Sequence, residues 1–293
     1  MIEAHEVITG ERLQALAEIT VATDPILAFH RSLPGSGVRR VLRAAGTMTA
    51  LAAGTDVAPL HGHRSIFVYS HLLASFCETL LPRLRTPFVL ISHNSDEAVD
   101  ERFRAALDDP RILHWFAQNA RLDHPKLTAL PIGLANAQWP HGDIAALMAA
   151  GARSGPREAA LYLNFDVRTN PAVRAPLLAA LRHRPFVRLG RPLPYPAYLA
   201  EMAGHHFCLS PPGNGLDCHR TWECLYLGVV PVVRRGDGDA LLSGLPVIAC
   251  DDLAGLDAET LARGWRALAG RVFDDRPLRL STWRARIAAA AGA

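Results

Sequence analysis

Residues 207–235, FCLSPPGNGLDCHRTWECLYLGVVPVVRR, decide how the rest of the chain is read. An apolar run at 206–210 predicts a strand, and Pro211-Pro212-Gly213-Asn214-Gly215 cannot continue it. Asp217 is expected as the N-cap of a helix that stops before Gly228, after which residues 229–234 return as a strand. Strand, Gly-rich loop, helix, Gly stop, strand is the unit of a parallel sheet wrapped by helices.

The same alternation extends outward from this segment. Strands are expected at 65–70, 87–92, 112–116 and 127–133 in the first half, and at 161–165, 186–190, 206–210, 229–234 and 246–250 in the second. FVLI and VVPVV are continuous rather than alternating, as strands buried on both faces should be. Helices are expected at 72–81, 96–107, 144–150, 171–182 and 258–269. The linker with the right composition is GARSGPR at 151–157, small, polar and broken by Gly and Pro. It divides the 293 residues into domains 1–155 and 156–293.

Composition excludes several classes of function. Hydrophobic residues make up 49% and charged residues 20%, with no repeat, so disorder and fibrous structure are ruled out. Thirty-one basic against 28 acidic residues leave +3, too little for a nucleic-acid binder that neutralises many phosphates. No apolar run reaches the ~20 residues that span a bilayer. The start, MIEAHE, has no secretory pattern, and the five cysteines form no CxxC pair, so reduced thiols and a cytoplasmic protein are expected.

The loop and helix at 211–228 carry the chemistry. Gly213 and Gly215 let backbone N–H groups approach a ligand, and a helix N-terminus favours an anion there. Arg220 adds a bidentate cation in the first turn. Glu223 stands about 4.5 Å further along the same face at 1.5 Å per residue. A carboxylate would repel a phosphate but suits a neutral diol. Diphosphate and ribose, one helical turn apart, match a nucleotide sugar. The alternative is that PPGNG only turns the chain, and Arg220 and Glu223 pair on a solvated face.

The pattern Ser210-Pro211-Pro212-Gly213-Asn214-Gly215-Leu216-Asp217, followed by Arg220, Glu223, Leu225, Gly228 and Pro231, resembles the donor-binding segment of exostosin-like glycosyltransferases. Ile91–Asp96, Trp115–Asn119, Pro131–Leu134 and Leu163–Phe165 are similar to segments of bacterial glycosyltransferase-like proteins, which extends the resemblance over about residues 65–235. It implies a GT-B-like α/β fold: two Rossmann-like parallel-sheet domains facing a cleft, the N-terminal one reduced and acceptor-side, the C-terminal one binding the donor. In the wider GT-B class a similar Glu is associated with the donor ribose, a role that falls here on Glu223. Exostosin-like relatives mostly invert configuration.

Transfer needs a base for the acceptor hydroxyl, and His93 and Asp96 follow the strand at 87–92, at the edge where α/β sheets bind ligands. Ser95 or Asp96 could instead cap the next helix. Asn164, Arg168 and Arg174 follow the first strand of the second half and are further candidates for the donor, with Asn214 and Asp217 in the loop. Asp237-Gly238-Asp239 has the spacing of a metal-holding DxD but sits in a turn, and His61-Gly62-His63 and His205-His206 lack partners at zinc-like spacing. No metal and no cofactor are expected. Cys218 and His219 point about 100° apart on a helix and form no dyad. Trp139 is a candidate acceptor contact. The expectation is a metal-independent hexosyl- or pentosyltransferase using a nucleoside diphosphate sugar and a small-molecule or glycan acceptor. A non-catalytic nucleotide-sugar binder and a phosphosugar isomerase or epimerase are the alternatives.

Overall fold

The computed structural model describes residues 2–30, 40–236 and 238–292. The chain divides into two compact units, Ile8–Ile132 with Arg279–Ala293, and Gly133–Leu278 with Met1–Val7. Each is built on one sheet in which every strand pair is parallel, so two Rossmann-like halves are present as expected. The N-terminal sheet has six strands and the C-terminal five, so neither half is much smaller by strand number.

The N-terminal unit contains β1 (Ile19–Thr23), β2 (Val41–Ala44), β3 (Ser65–Tyr69), β4 (Phe88–His93), β5 (Ile112–Ala117) and β6 (Leu127–Ala129), in the order β2-β1-β3-β4-β5-β6. All residues of β1, β3 and β4 are buried, and apart from Ser65, Ser92 and His93 they are apolar or β-branched. Short helices α1 (Gly10–Gln14), α2 (Asp24–Phe29), α3 (Leu73–Ser75) and α4 (Arg104–Asp108) belong to this unit. So does the closing helix Leu280–Ala290, which buries Leu280, Trp283 and Ile287.

Two helices differ from expectation. Residues 72–81 break into a 3₁₀ turn, α3, a π-turn at Phe76–Leu80 and another 3₁₀ turn containing Pro82. Thr79 donates its hydroxyl to the Ser75 carbonyl at 2.6 Å, a side-chain competitor for the helical ladder. No helix starts at 96. Asn94 is left-handed, with φ +65°, the chain bends over 94–96, and Val99 then bridges to Ala120 in parallel. Asp100 then caps the turn at Glu101–Phe103 by accepting from the Arg102 N–H, so neither Ser95 nor Asp96 is the cap.

In the C-terminal unit, β7 (Glu158–Leu163), β8 (Val187–Leu189), β9 (His205–Leu209), β10 (Val230–Arg234) and β11 (Ile248–Cys250) lie in the order β11-β10-β9-β7-β8. The helices are α5 (Ile144–Gly151), α6 (Pro171–Leu181), α7 (Tyr195–Ala203), α8 (His219–Leu227), α9 (Asp239–Leu242) and α10 (Ala258–Leu268). Strand alternation separates two apolar clusters: Leu161, Leu163, Phe207 and Leu209 lie in one, Tyr162 and Cys208 in the other. The second cluster explains why the units do not divide at 155/156. It takes in Val7, Leu134, Leu147 and Ala150, so α5 packs with the strands and helices C-terminal to it, and burial of these groups outweighs the loop-like composition of 151–157.

Among the described residues no helix is long and apolar enough to cross a membrane, and all five cysteines are free.

Both sheets contain a reversal of strand order. From β1 the chain goes to β2 on one side and then to β3 on the other; from β7 it goes to β8 and then to β9. In open α/β sheets such reversals open a crevice outside the carboxyl ends of the two central strands, where ligands bind.

Candidate functional site

The Gly-rich loop and its helix lie at the reversal in the C-terminal sheet. β7 ends at Leu163 and delivers Asn164, Phe165 and Asp166; β9 ends at Leu209 and delivers the loop 210–217. α6 and α8, which come after these two strands in the chain, contribute Arg174, Arg220 and Glu223.

Arg174 is 4% exposed and ties the loops together. Its Nε donates to the Pro212 carbonyl at 3.1 Å, Nη2 to Pro211 at 3.4 Å and Nη1 to Asp166 at 2.8 Å. Asn170, beside Pro171 at the start of α6, donates its amide to the Gly213 carbonyl at 2.9 Å. A Cβ on Gly213 would stand 3.2 Å from Arg174 Nη2, so glycine is what lets the guanidinium lie against the loop.

Arg220 projects from the first turn of α8. Its guanidinium lies 5.8 Å from the centre of the Phe165 ring, and that of Arg174 lies 5.7 Å from the same centre. The two cations repel: burial first, and then the field of Arg220, push the Arg174 guanidinium below its ordinary value. Among the described residues, Arg220 Nε is buried without a hydrogen-bond partner.

Glu223, at 4% exposure, does not lie on a solvated face, which removes the reading of an exposed Arg220–Glu223 pair. It accepts from the Tyr195 hydroxyl at 3.1 Å and the Tyr198 hydroxyl at 2.9 Å. Burial raises its carboxyl above the usual range, while Arg220 and the two tyrosines pull it back. Both tyrosines come from α7, a helix absent from the sequence expectations. The signal was available: Tyr195, Leu199 and Met202, the residues α7 buries, follow the i, i+4, i+7 pattern of one helical face.

Asp217 is not the N-cap. α8 begins at His219 with Cys218 in the cap position, and Cys218 makes no side-chain cap bond. Both Asp217 oxygens instead accept from Trp222 Nε1 at 2.8 Å, because a fully buried indole N–H needs an acceptor. The expected end is present: Gly228 closes the helix at φ +66°, a conformation that favours glycine. In the loop, Asn214 is exposed and Gly215 buried.

Other candidates are dispersed. Asn164 donates to the Tyr162 hydroxyl at 2.7 Å and to the Arg191 carbonyl at 3.1 Å. The Arg168 side chain is 91% exposed and paired with Asp166 at 2.8 Å. Trp139, 41% exposed, stacks on His141 with centroids 6.2 Å apart, and His141 in turn meets Tyr195 at 6.5 Å. An aromatic row therefore leads from the surface to Glu223.

In the N-terminal unit, His93 is buried with both ring nitrogens engaged, Nε2 at 3.1 Å from the Pro131 carbonyl and Nδ1 at 3.2 Å from Asn94 Oδ1. Burial pushes its pKa down to about 4, with those two contacts opposing. It therefore presents neither an open nitrogen nor a strong base. Asp96 is exposed. His63 and His205 each lie near a carboxylate, Glu18 at 3.3 Å and Glu158 at 3.6 Å. Among the described residues no group of three or more His, Cys, Asp or Glu could hold a metal ion; Asp237 lies outside them.

No family model and no curated protein matches the chain. Solved structures do. The glycotransferase of kitacinnamycin is 16% identical with a TM-score of 0.41, over 96% of this chain and 91% of that one. A UDP-forming α,α-trehalose-phosphate synthase from Burkholderia xenovorans is 16% identical with a TM-score of 0.43, over 82% and 76%. The UDP-GlcNAc 2-epimerase of Methanocaldococcus jannaschii is 12% identical with a TM-score of 0.43, over 95% and 94%. Similarities this distant leave substrate and mechanism to the residues of the chain itself.

Proposed function

We propose that the protein is a glycosyltransferase of GT-B-like architecture that moves a sugar from a nucleoside diphosphate sugar to a hydroxyl acceptor, without a metal and with inversion. The observation that supports it is the meeting of Arg174 and Arg220 over Phe165 at the strand-order reversal, with Arg220 Nε buried and unpartnered. Of the carboxylates near the two buried guanidiniums, Asp166 is already paired with Arg168 and the ionisation of Glu223 is disfavoured by burial. The imbalance calls for an anion, and a planar fork of N–H donors suits phosphate oxygens.

The two arginines divide the work. Three of Arg174's five N–H donors are committed to carbonyls, so it chiefly holds the loop. Arg220 is the ligand-facing cation, and with the N–H groups of Gly213, Asn214, Gly215 and the first turn of α8 it would stabilise charge on the departing diphosphate. Fixed donors aimed at developing charge are commonly the largest contribution to such catalysis. The Glu223 oxygens, each holding one tyrosine hydroxyl, retain lone pairs for the ribose hydroxyls. Of the expected bases, Asp96 is the one with an exposed carboxylate, and it takes the acceptor proton in this reading.

Calorimetric titration with UDP and dTDP tests the site. Arg220→Ala and Glu223→Ala should each weaken binding tenfold or more, about 1.4 kcal/mol per factor of ten, with unchanged circular dichroism. Undiminished affinity in both variants would sink the proposal. Release of free diphosphate from a donor sugar separates an enzyme from a binder that only retains its ligand.

A further inference from the structure

We propose that Tyr195 and Tyr198 are positioning residues whose hydroxyls fix the Glu223 carboxylate. With Glu223 as the ribose contact of the proposed function, on which this rests, the clamp makes the site take ribonucleoside over 2′-deoxyribonucleoside diphosphates. The helix that brings the phenols is set locally. Pro194 in the N-cap of α7 and Pro196 in its first turn suit a helix start, and Leu199 and Met202, both 0% exposed, seal the helix into the core. Tyr195 and Tyr198, three residues apart, therefore share a face, and their rings stack with centroids 6.1 Å apart at 28°.

The phenols give each carboxylate oxygen its own donor. Tyr195 donates to Glu223 Oε1 at 3.1 Å and Tyr198 to Oε2 at 2.9 Å. The last torsion of a glutamate is broad, and two donors from a second helix hold the carboxyl plane against that rotation. Tyr198 is braced in turn by the Tyr162 ring, 6.4 Å away, whose hydroxyl donates to Glu201 Oε2 at 2.9 Å and accepts from Asn164 at 2.7 Å. Burial first, and then the field of Glu223, hold both phenols above their ordinary range, so they stay protonated donors.

A carboxylate has about four lone-pair sites, so the two phenols leave a fixed pair of acceptors, one on each oxygen. Two acceptors side by side match the vicinal 2′ and 3′ hydroxyls of ribose. A 2′-deoxyribose fills one and leaves the other buried without its second donor, and a site built to bond a hydroxyl rejects the analogue that lacks it. The titratable groups facing Glu223 are Arg220 from its own helix and the two phenols from α7; Cys208 of β9 and Cys224 act on Tyr198, and Asp143 acts on Tyr195. Burial opposes ionisation of Glu223, while Arg220 and the phenols favour it. Removing either hydroxyl therefore frees the carboxyl plane and raises the carboxyl further.

The test is calorimetry of the full chain with UDP and with 2′-deoxyuridine diphosphate, which carry the same base and diphosphate and differ only at the 2′ position. The wild-type chain should prefer UDP by about tenfold or more, and Tyr195→Phe and Tyr198→Phe, which keep the rings, should each cut that preference by about threefold or more. In ¹³C spectra of chains labelled at the glutamate carboxyl, Glu223 should titrate at higher pH in either variant, its signal identified by its loss in Glu223→Gln. A merely structural role weakens both nucleotides equally. Unchanged preference in the folded Phe variants therefore overturns the proposal, as does a wild-type chain that binds the two nucleotides alike. The two variants are independent, so one that fails to fold leaves the other to decide. Failure of the ribose reading is separate: Glu223→Gln then binds UDP as the wild type does, whereas if the clamp alone fails that variant loses the preference and the Phe variants keep it.

Discussion

At the reversal of the C-terminal sheet two arginines share a phenylalanine ring; at that of the N-terminal sheet two histidines stack about a tyrosine. Both crevices arise from the same event, a chain that places its third strand on the opposite side of its first. Their charge differs for a simple reason. A guanidinium cannot shed its proton in a protein, so burying two of them creates a standing demand for an anion. An imidazole escapes burial by becoming neutral, and His30 and His93 are both held down at about 4.

The largest expected difference is in acid. His93 binds its proton less tightly when folded, about 4 against 6.5, so the unfolded chain takes up more protons between those values. Its contribution to stability is whole above pH 6.5 and falls as the pH drops toward 4, by about 3 kcal/mol for a group so buried. Urea titrations at pH 7 and pH 4 should show that loss, and His93→Gln should lack that part of it. Equal slopes in the two proteins would break the contrast between sheets.

Next comes Asp217→Ala. It leaves the Trp222 N–H buried without its acceptor and should cost about 1–3 kcal/mol of stability. UDP affinity should change less than twofold. Weaker binding at full stability would instead place Asp217 among the ligand contacts.

The smallest effect separates function from stability within one residue. The folded Glu223 carboxyl titrates above its unfolded value, so its contribution is present at acid pH and is lost as pH rises through the raised value. Glu223→Gln should therefore melt about 2 °C higher at pH 7 while binding UDP more weakly. A lower melting temperature would show the ionised carboxylate to be stabilising and remove the sign of this effect.

Much of the scaffold was legible because burial on both faces leaves a local mark. FVLISH, SIFVY and VPVVR read as strands from their apolar continuity alone. β1, ITVAT, is equally buried but lacks that mark, because two threonines interrupt the apolar run although four of its five residues are β-branched. The Gly-rich loop, the first-turn Arg220 and the Gly228 stop were visible as well. The Asp217 cap failed because a competing acceptor need, that of Trp222, lay five residues on, beyond the reach of a capping rule.

A parallel α/β chain with an anion-suited loop before a short helix is thus written in the order of residues, since strand burial, turn chemistry and helix ends are encoded within a few neighbouring positions. Long-range packing is what brings Arg174 and Arg220 together over Phe165, closes Tyr195 and Tyr198 on Glu223, and puts Val7 and the last helix in opposite units from their neighbours in sequence. These contacts depend on strand order. The order is set by which faces bury most surface when distant segments pack together, and no local pattern carries that information.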